Sequence, residues 1–138
     1  PSLLDDMGLA PAMEWYLKDF EKRASIKTSL NVPAEDLNLA DTVKTGLFRI
    51  FQESLTNVAR HANAKKVNID LGIENATLRL SITDDGNGFE MEVAKAKKTL
   101  GILGMQERSF MMGGNYNVIS KPGKGTNIIV TVPYPGKN

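Results

Sequence analysis

Apolar residues recur at three- and four-residue spacings between Gly8 and Ala24. Leu9, Met13, Tyr16, Leu17 and Phe20 predict one buried helix face, and Trp15 adds bulk beside it. The period then changes. Ile26 to Val32 alternates like a short strand, and Pro33, which lacks an N–H for the ladder, ends it. Leu37 to Asp41 reads as a connector, with the Asp41 carboxylate expected to cap the next helix. That helix is predicted over Thr42 to His61, with Leu47, Ile50, Phe51, Leu55 and Val58 as its apolar stripe. Glu53, Asn57 and His61, spaced four apart, should share a polar stripe along its margin.

Strict alternation follows. Val67, Ile69, Leu71 and Ile73 face one way between Lys66 and Glu74, and Asn75-Ala76 marks a hairpin turn. Leu78, Leu80 and Ile82 point inward from the return strand, and period two carries Asp84 onto that same row. A carboxylate at the end of a core-facing row is costly unless it receives hydrogen bonds. Phe89 to Leu100 has no strong period and reads as a short loop with one helical turn. Gly101 to Met112 returns to helical spacing and stops at Gly113-Gly114. Tyr116 to Ser120 and Thr126 to Val132 read as strands around the glycine-rich turn Lys121 to Gly125. This order predicts an α/β fold, with one mixed, mainly antiparallel sheet and helices packed across one face. It is not the alternating pattern of a doubly wound dinucleotide fold.

The chain has 138 residues, enough for one domain with a substantial core. Lys plus Arg is 17 and Asp plus Glu is 16, so no whole-molecule field gathers nucleic acid or anionic lipid. There is no cysteine, which removes disulfides, thiolate nucleophiles, zinc fingers and iron–sulfur clusters together. No apolar run approaches the ~20 residues of a spanning helix, and no secretory signal opens the chain. The start at Pro1, with Ser2 to Asp6 already beside a helical pattern, reads as a segment of something larger.

Three glycine-containing elements then supply candidate chemistry: Asp84 to Phe89, Gly101 to Gly104, and Gly123 to Thr126. None is a P-loop, and none carries the third glycine of a dinucleotide fingerprint. Asp84 can accept a hydrogen bond from an exocyclic amine, while Gly86 and Gly88 let backbone approach a flat ligand. Gly101 and Gly104 at a helix start bring free N–H groups toward phosphate. Asn57 can offer its amide oxygen to Mg²⁺.

With these elements in order, the chain resembles the ATP-binding catalytic domain of bacterial sensor histidine kinases, within the gyrase/Hsp90/MutL ATPase superfamily. In detail it is similar to the nitrate-sensor-like subgroup. Phe48 to Ala62, reading Phe-Arg-Ile-Phe-Gln-Glu-Ser-Leu-Thr-Asn-Val-Ala-Arg-His-Ala, resembles that subgroup's N box. Asp84 to Phe89 resembles the first glycine box, Gly101 to Arg108 the second with its helix, and Ser120 to Pro133 the terminal glycine-threonine box. Leu4 to Leu9 looks like the junction from a preceding dimerisation helix. The resemblance implies a Bergerat-type two-layer sandwich, with 1–6 as the end of that linker and 7–138 as the catalytic domain.

It also implies ATP and Mg²⁺ as ligands. Asp84 would receive the adenine amine, and Asn57 would coordinate Mg²⁺ on the phosphates. Glu53 would polarise water around the ion and assist proton transfer, which makes Glu53 and Asn57 the catalytic pair. Gly86, Gly88, Gly101 and Gly104 would shape the pocket and lid hinges, and Thr126 would lie on the adenine side. Arg60, His61, Phe89 and Leu103 complete the expected nucleotide-binding set, with Lys97 or Lys98 as candidates to reach phosphate. His61, the only histidine, is read as a pocket-edge residue, because the family places its phosphoacceptor on a separate helical domain. The lid between Phe89 and Leu100 is short, which resembles this subgroup and differs from other histidine kinases, and Gly-Ile-Leu-Gly departs in lacking a third clustered glycine.

The implied partners are the chain's own dimerisation and phosphoacceptor domain and a response-regulator receiver domain. Nucleic acid is not among them, and membrane contact would come only through other parts of a full protein, for which anchoring in the inner membrane and a soluble form both stay open. The domain itself is expected to be cytoplasmic, monomeric alone and homodimeric in the full kinase. Two alternatives remain at this point: a serine-directed kinase module of the anti-sigma type, and a degenerate docking domain without catalysis.

Overall fold

The structure, a computed structural model, describes residues 2–96 and 100–135. Its sheet has five strands: β1 (Lys27–Asn31), β2 (Lys66–Glu74), β3 (Thr77–Asp84), β4 (Asn115–Ser120) and β5 (Thr126–Pro133). They lie in the order β1-β2-β3-β5-β4. Only β1 and β2 run parallel; the other three pairings are antiparallel. Helices α1 (Ser2–Met7), α2 (Leu9–Ala24), α3 (Asp41–Asn57), α4 (Met91–Ala96) and α5 (Ile102–Met111) complete a two-layer α/β sandwich.

The alternation in β2 and β3 explains the layering. Val67, Ile69, Leu71, Leu78, Leu80 and Ile82 are buried under α2 and α3, where Phe20, Leu47, Ile50, Phe51 and Leu55 complete the core. Tyr16, Phe48 and Phe51 meet near the α2–α3 contact, with Tyr16 edge-on to both phenylalanines. The opposite face of the sheet is polar. Ser29 Oγ donates to Asn68 Oδ1 at 2.6 Å, and Asn31 Nδ2 donates to Asp70 Oδ1 at 2.8 Å. Leu4, within the expected linker at 1–6, is buried in the same core as the rest.

Two expectations change here. Asp41 does not cap α3. Ala40 holds the extended N-cap conformation, with φ −61° and ψ 148°, and Asp41 is already the first helical residue. Its carboxylate instead lies 3.6 Å from Lys44 Nζ and favours the positive helix end. The long helix also does not run unbroken to His61. It ends at Asn57 and continues as a π-helical turn, Val58–Ala62, closed by left-handed Asn63 at φ 50°. The looser winding of a π turn re-aims every side chain beyond Asn57. The helical turn expected between Phe89 and Leu100 is α4. Lys97 and Lys98 lie outside the described residues.

Candidate functional site

β3 carries Asp84 to the edge of the core, where only 8% of its surface is exposed. The alternating row that buries Leu78, Leu80 and Ile82 leaves its carboxylate nowhere else to point. Asp84 Oδ1 accepts the Gly86 N–H at 2.8 Å. Burial pushes the carboxyl above its ordinary pKa. The Gly86 N–H counters this, the Asp85 charge adds to it, and the Thr126 N–H counters it again. Asp85 points the other way and accepts the N–H groups of Lys65 and Lys66 at 2.8 and 3.1 Å. Those bonds hold its pKa below the usual range.

Asp84 faces a cavity under the end of α3. Asn57, Val58, His61 and Ala62 line one side, Ile82 and Ile128 the sheet side, and Leu100, Ile102 and Met105 the side opposite. Ser54, Phe89, Tyr116, Val118 and Thr126 complete the wall. A largely apolar slot with one buried carboxylate suits a flat heteroaromatic base bearing an amine. The enclosed space is about 40 Å³, below the ~300 Å³ of a small-molecule site. A ligand therefore has to displace a wall. Leu100 forms that wall: its carbonyl accepts Asn57 Nδ2 at 2.7 Å. The same bond leaves Asn57 Oδ1 available to a cation.

The floor is tied together across distant segments. The Asn87 N–H donates to the Ala62 carbonyl at 2.6 Å, and the Gly123 N–H donates to the Asn87 carbonyl at 2.6 Å. Ser120 Oγ accepts the Phe89 N–H at 2.9 Å and donates to the Gly125 carbonyl at 3.1 Å. With that proton committed, the 2.8 Å contact to Thr126 Oγ1 must use the threonine's proton. Thr126 thus offers its lone pairs, rather than its proton, to the cavity.

The glycines of the first box serve the protein's own chain more than a ligand. A Cβ on Gly86 would come 2.3 Å from the Ala62 carbonyl oxygen. A Cβ on Gly88 would strike the Lys121 carbonyl oxygen. Their missing side chains let the turn dock against the π turn and the β4–β5 loop.

The expected stripe of Glu53, Asn57 and His61 splits. Four residues of α-helix advance ~400°, so Asn57 is turned ~40° from Glu53, whereas the wider π turn at Val58–Ala62 takes up that drift before His61. Asn57 and His61 line the apolar cavity, whereas Glu53 faces a second, polar pocket. This pocket lies between α3 and α5 and is lined by Arg49, Gln52, Glu53 and Thr56 with Gly101, Gly104, Met105 and Arg108. Glu53 Oε1 sits so close to Gly101 that a Cβ there would be 2.8 Å away. Arg60 is exposed and lines neither cavity; Leu103, 67% exposed, lines a shallow groove with Met91 and Gln106.

Several wall residues carried no signal in the sequence. Ser54 hides within the apolar stripe, where its Oγ donates to the Ile50 carbonyl at 2.7 Å and lies 3.6 Å from Met105 Sδ. Tyr116 Oη reaches the same sulfur at 3.8 Å. Burial pushes the Tyr116 phenol well above its ordinary pKa, and the nearby Glu53 charge adds to the shift. Met105 thus hangs α5 over the cavity by two hydroxyl contacts.

Among the described residues, no group of three or more His, Cys, Asp or Glu side chains could hold a metal. A cation here would need ligands brought by phosphate oxygens, beside Asn57 Oδ1 and with Glu53 one turn away. Among the described residues no helix is long and apolar enough to cross a membrane.

The family described as "Histidine kinase-, DNA gyrase B-, and HSP90-like ATPase" matches residues 42–136. The sensor histidine kinase LiaS of Bacillus subtilis (strain 168) is 41% identical over 133 residues, covering 96% of this chain and 36% of that protein. The histidine-protein kinase/phosphatase DegS of the same organism is 34% identical over 138 residues, with the same coverage of 96% and 36%. The chain therefore spans about a third of the length of the curated relatives it matches. Among solved structures, the histidine kinase domain of the Erythrobacter litoralis EL346 blue-light activated kinase shares the fold. Its TM-score is 0.75 at 18% identity, covering 91% of this chain and 60% of that one. The mycobacterial sensor histidine kinase MprB does so at TM-score 0.67 and 21% identity, covering 88% and 91%.

Proposed function

The chain belongs to the histidine kinase-, DNA gyrase B- and HSP90-like ATPase family, and on that premise we propose that it is the ATP–Mg²⁺-binding catalytic domain of a sensor histidine kinase, in the nitrate-sensor-like subgroup. The observation that carries this reading is the buried Asp84 carboxylate, which faces an apolar slot beneath Asn57. In this reading Asp84 accepts the adenine amine, and Ile82, Ile128 and Met105 sandwich the ring. The phosphates leave the slot past Asn57, whose Oδ1 would hold Mg²⁺ together with phosphate oxygens. Glu53, one turn earlier on α3, would orient water beside that ion and the terminal phosphate.

The reaction is then transfer of the γ-phosphoryl group to a histidine nitrogen on a separate helical domain, for relay to a response regulator. The attacking nitrogen forms a bond to phosphorus as the bond to the β–γ bridging oxygen breaks, and ADP leaves. Such transfer is mostly positioning and charge stabilisation. In this reading that work falls to Asn57, Glu53 and the rim of α5. Residues 1–6 are the tail of the linker from the helical domain, and 7–138 the catalytic unit, a cytoplasmic domain that is monomeric by itself.

Calorimetry with ATP, with and without Mg²⁺, tests the first half. ATP binding strengthened by Mg²⁺ is expected, and no binding under either condition would refute the reading. Transfer of γ-label to a separately expressed phosphoacceptor domain tests the second half; label on serine instead of histidine would move the chain to the anti-sigma type.

A further inference from the structure

We propose that Arg49 and Arg108 form a subsite for the terminal phosphoryl group, through which this domain distinguishes a nucleoside triphosphate from a diphosphate. The inference rests on the nucleotide reading above and adds two residues that the sequence motifs left without a role.

The base cavity and the polar pocket share Met105, and adjacent residues line the two, Leu100 the first and Gly101 the second. Successive residues of α3 pass from one to the other: Asn57 lines the first, while Thr56 and Glu53 line the second. A polyphosphate chain leaving the base slot past Asn57 enters this second space. Here no wall has to move, since the pocket offers about 340 Å³.

Its charge fits an oxyanion only because there are two arginines. Arg49 from α3, Arg108 from α5 and Glu53 are the charged groups that line it. One guanidinium alone would balance the Glu53 carboxylate. Two leave a net positive charge for a further anion. Among the described residues, neither guanidinium has a carboxylate within ion-pairing distance, although Glu53 shares the pocket one turn from Arg49. A planar guanidinium binds phosphoryl oxygens in a two-pronged fashion, with geometry as well as charge. Arms from two different helices also allow the group to be gripped from opposite sides. A diphosphate ends near Asn57 and is not expected to extend this far.

The test is calorimetry on the 138-residue chain with Mg²⁺, comparing ADP with a non-hydrolysable ATP analogue. The panel is the unmodified protein, Arg49→Ala, Arg108→Ala and the corresponding lysine variants. Each alanine variant is expected to lose roughly tenfold in affinity for the analogue, the scale of one charge-assisted bond, while ADP affinity stays within about twofold. Lysine should recover part of the loss. Both side chains are exposed, so the fold should survive, and circular dichroism checks it. Unchanged affinities, or equal losses for ADP and the analogue, would overturn the subsite while leaving nucleotide binding intact. Unmodified protein that binds neither nucleotide would instead overturn the functional reading and the subsite with it.

Discussion

Replacing Asp84 with Asn separates a ligand-binding carboxylate from one that merely shapes a turn. The side chain keeps its size, and Oδ1 can still accept the Gly86 N–H, now 2.8 Å away. The second carboxylate oxygen becomes an NH₂ group. In the slot, an acceptor facing the adenine amine turns into a donor facing a donor. Loss of a charge-assisted bond is worth about 1.5–3 kcal/mol, so ATP affinity should fall roughly ten- to hundredfold. Guanine presents an acceptor at the equivalent position, so the preference for ATP over GTP should shrink as well.

Stability should move the opposite way. Burial raises the Asp84 pKa, so between the ordinary carboxylate value and the raised one the folded state holds a proton the unfolded state has lost. In that window stability falls as pH rises, and at neutral pH the ionised carboxylate destabilises the fold. Asparagine removes that penalty. The variant should therefore melt no lower than the parent at pH 7, and any advantage should fade toward acid, where the parent is protonated too. Calorimetry gives the affinity and thermal melts at pH 4 to 8 give the stability. A variant that binds ATP as the parent does and melts lower would show that Asp84 is a structural turn residue.

Asn57→Ala should weaken Mg²⁺-dependent ATP binding and leave adenosine binding less affected. A nucleotide–Mg²⁺ crystal structure with the ion far from position 57 would contradict that role. Gly86→Ala forces a methyl group 2.3 Å from the Ala62 carbonyl oxygen, so denaturant melts should show a loss of about 1–3 kcal/mol, the usual scale of overpacking; an unchanged midpoint would mean the turn is not docked as described. The chain incubated with γ-labelled ATP should carry no acid-labile phosphate at His61. That residue shares its turn-and-helix segment with Asn57 and is poorly placed for in-line attack. Stoichiometric label abolished by His61→Gln would reverse this.

The sheet was legible because its rows alternate cleanly: the pattern that buries Leu80 and Ile82 also placed Asp84 correctly. Periodicity could not reveal the π turn, since an extra residue per turn leaves the apolar stripe nearly intact up to Val58. It also could not separate Glu53 from Asn57 and His61, because four-residue spacing looks the same until the helix's drift is followed against its neighbours. Capping failed at Asp41 for a local reason, since helical dihedrals begin one residue earlier than the carboxylate suggested. Ser54, Met105 and Tyr116 were invisible as site residues. Their contacts span as many as 51 positions, and each reads as an ordinary core or strand residue alone.

The unequal construction of the cavity walls sets the thermodynamics of filling it. The floor is preorganised by two bonded sets, Ala62 with Asn87 and Gly123, and Ser120 with Phe89, Gly125 and Thr126. Recognition of the base against that floor therefore loses little conformational entropy. Among the described residues, the facing side is tied down by the Asn57–Leu100 bond and the soft sulfur contacts of Met105, and it must yield before a ring can enter. Its displacement frees only Asn57 Nδ2, so Oδ1 is available to a cation both before and after the slot opens. The cost of moving that wall therefore falls on entry of the base and not on the cation ligand, which is already in place.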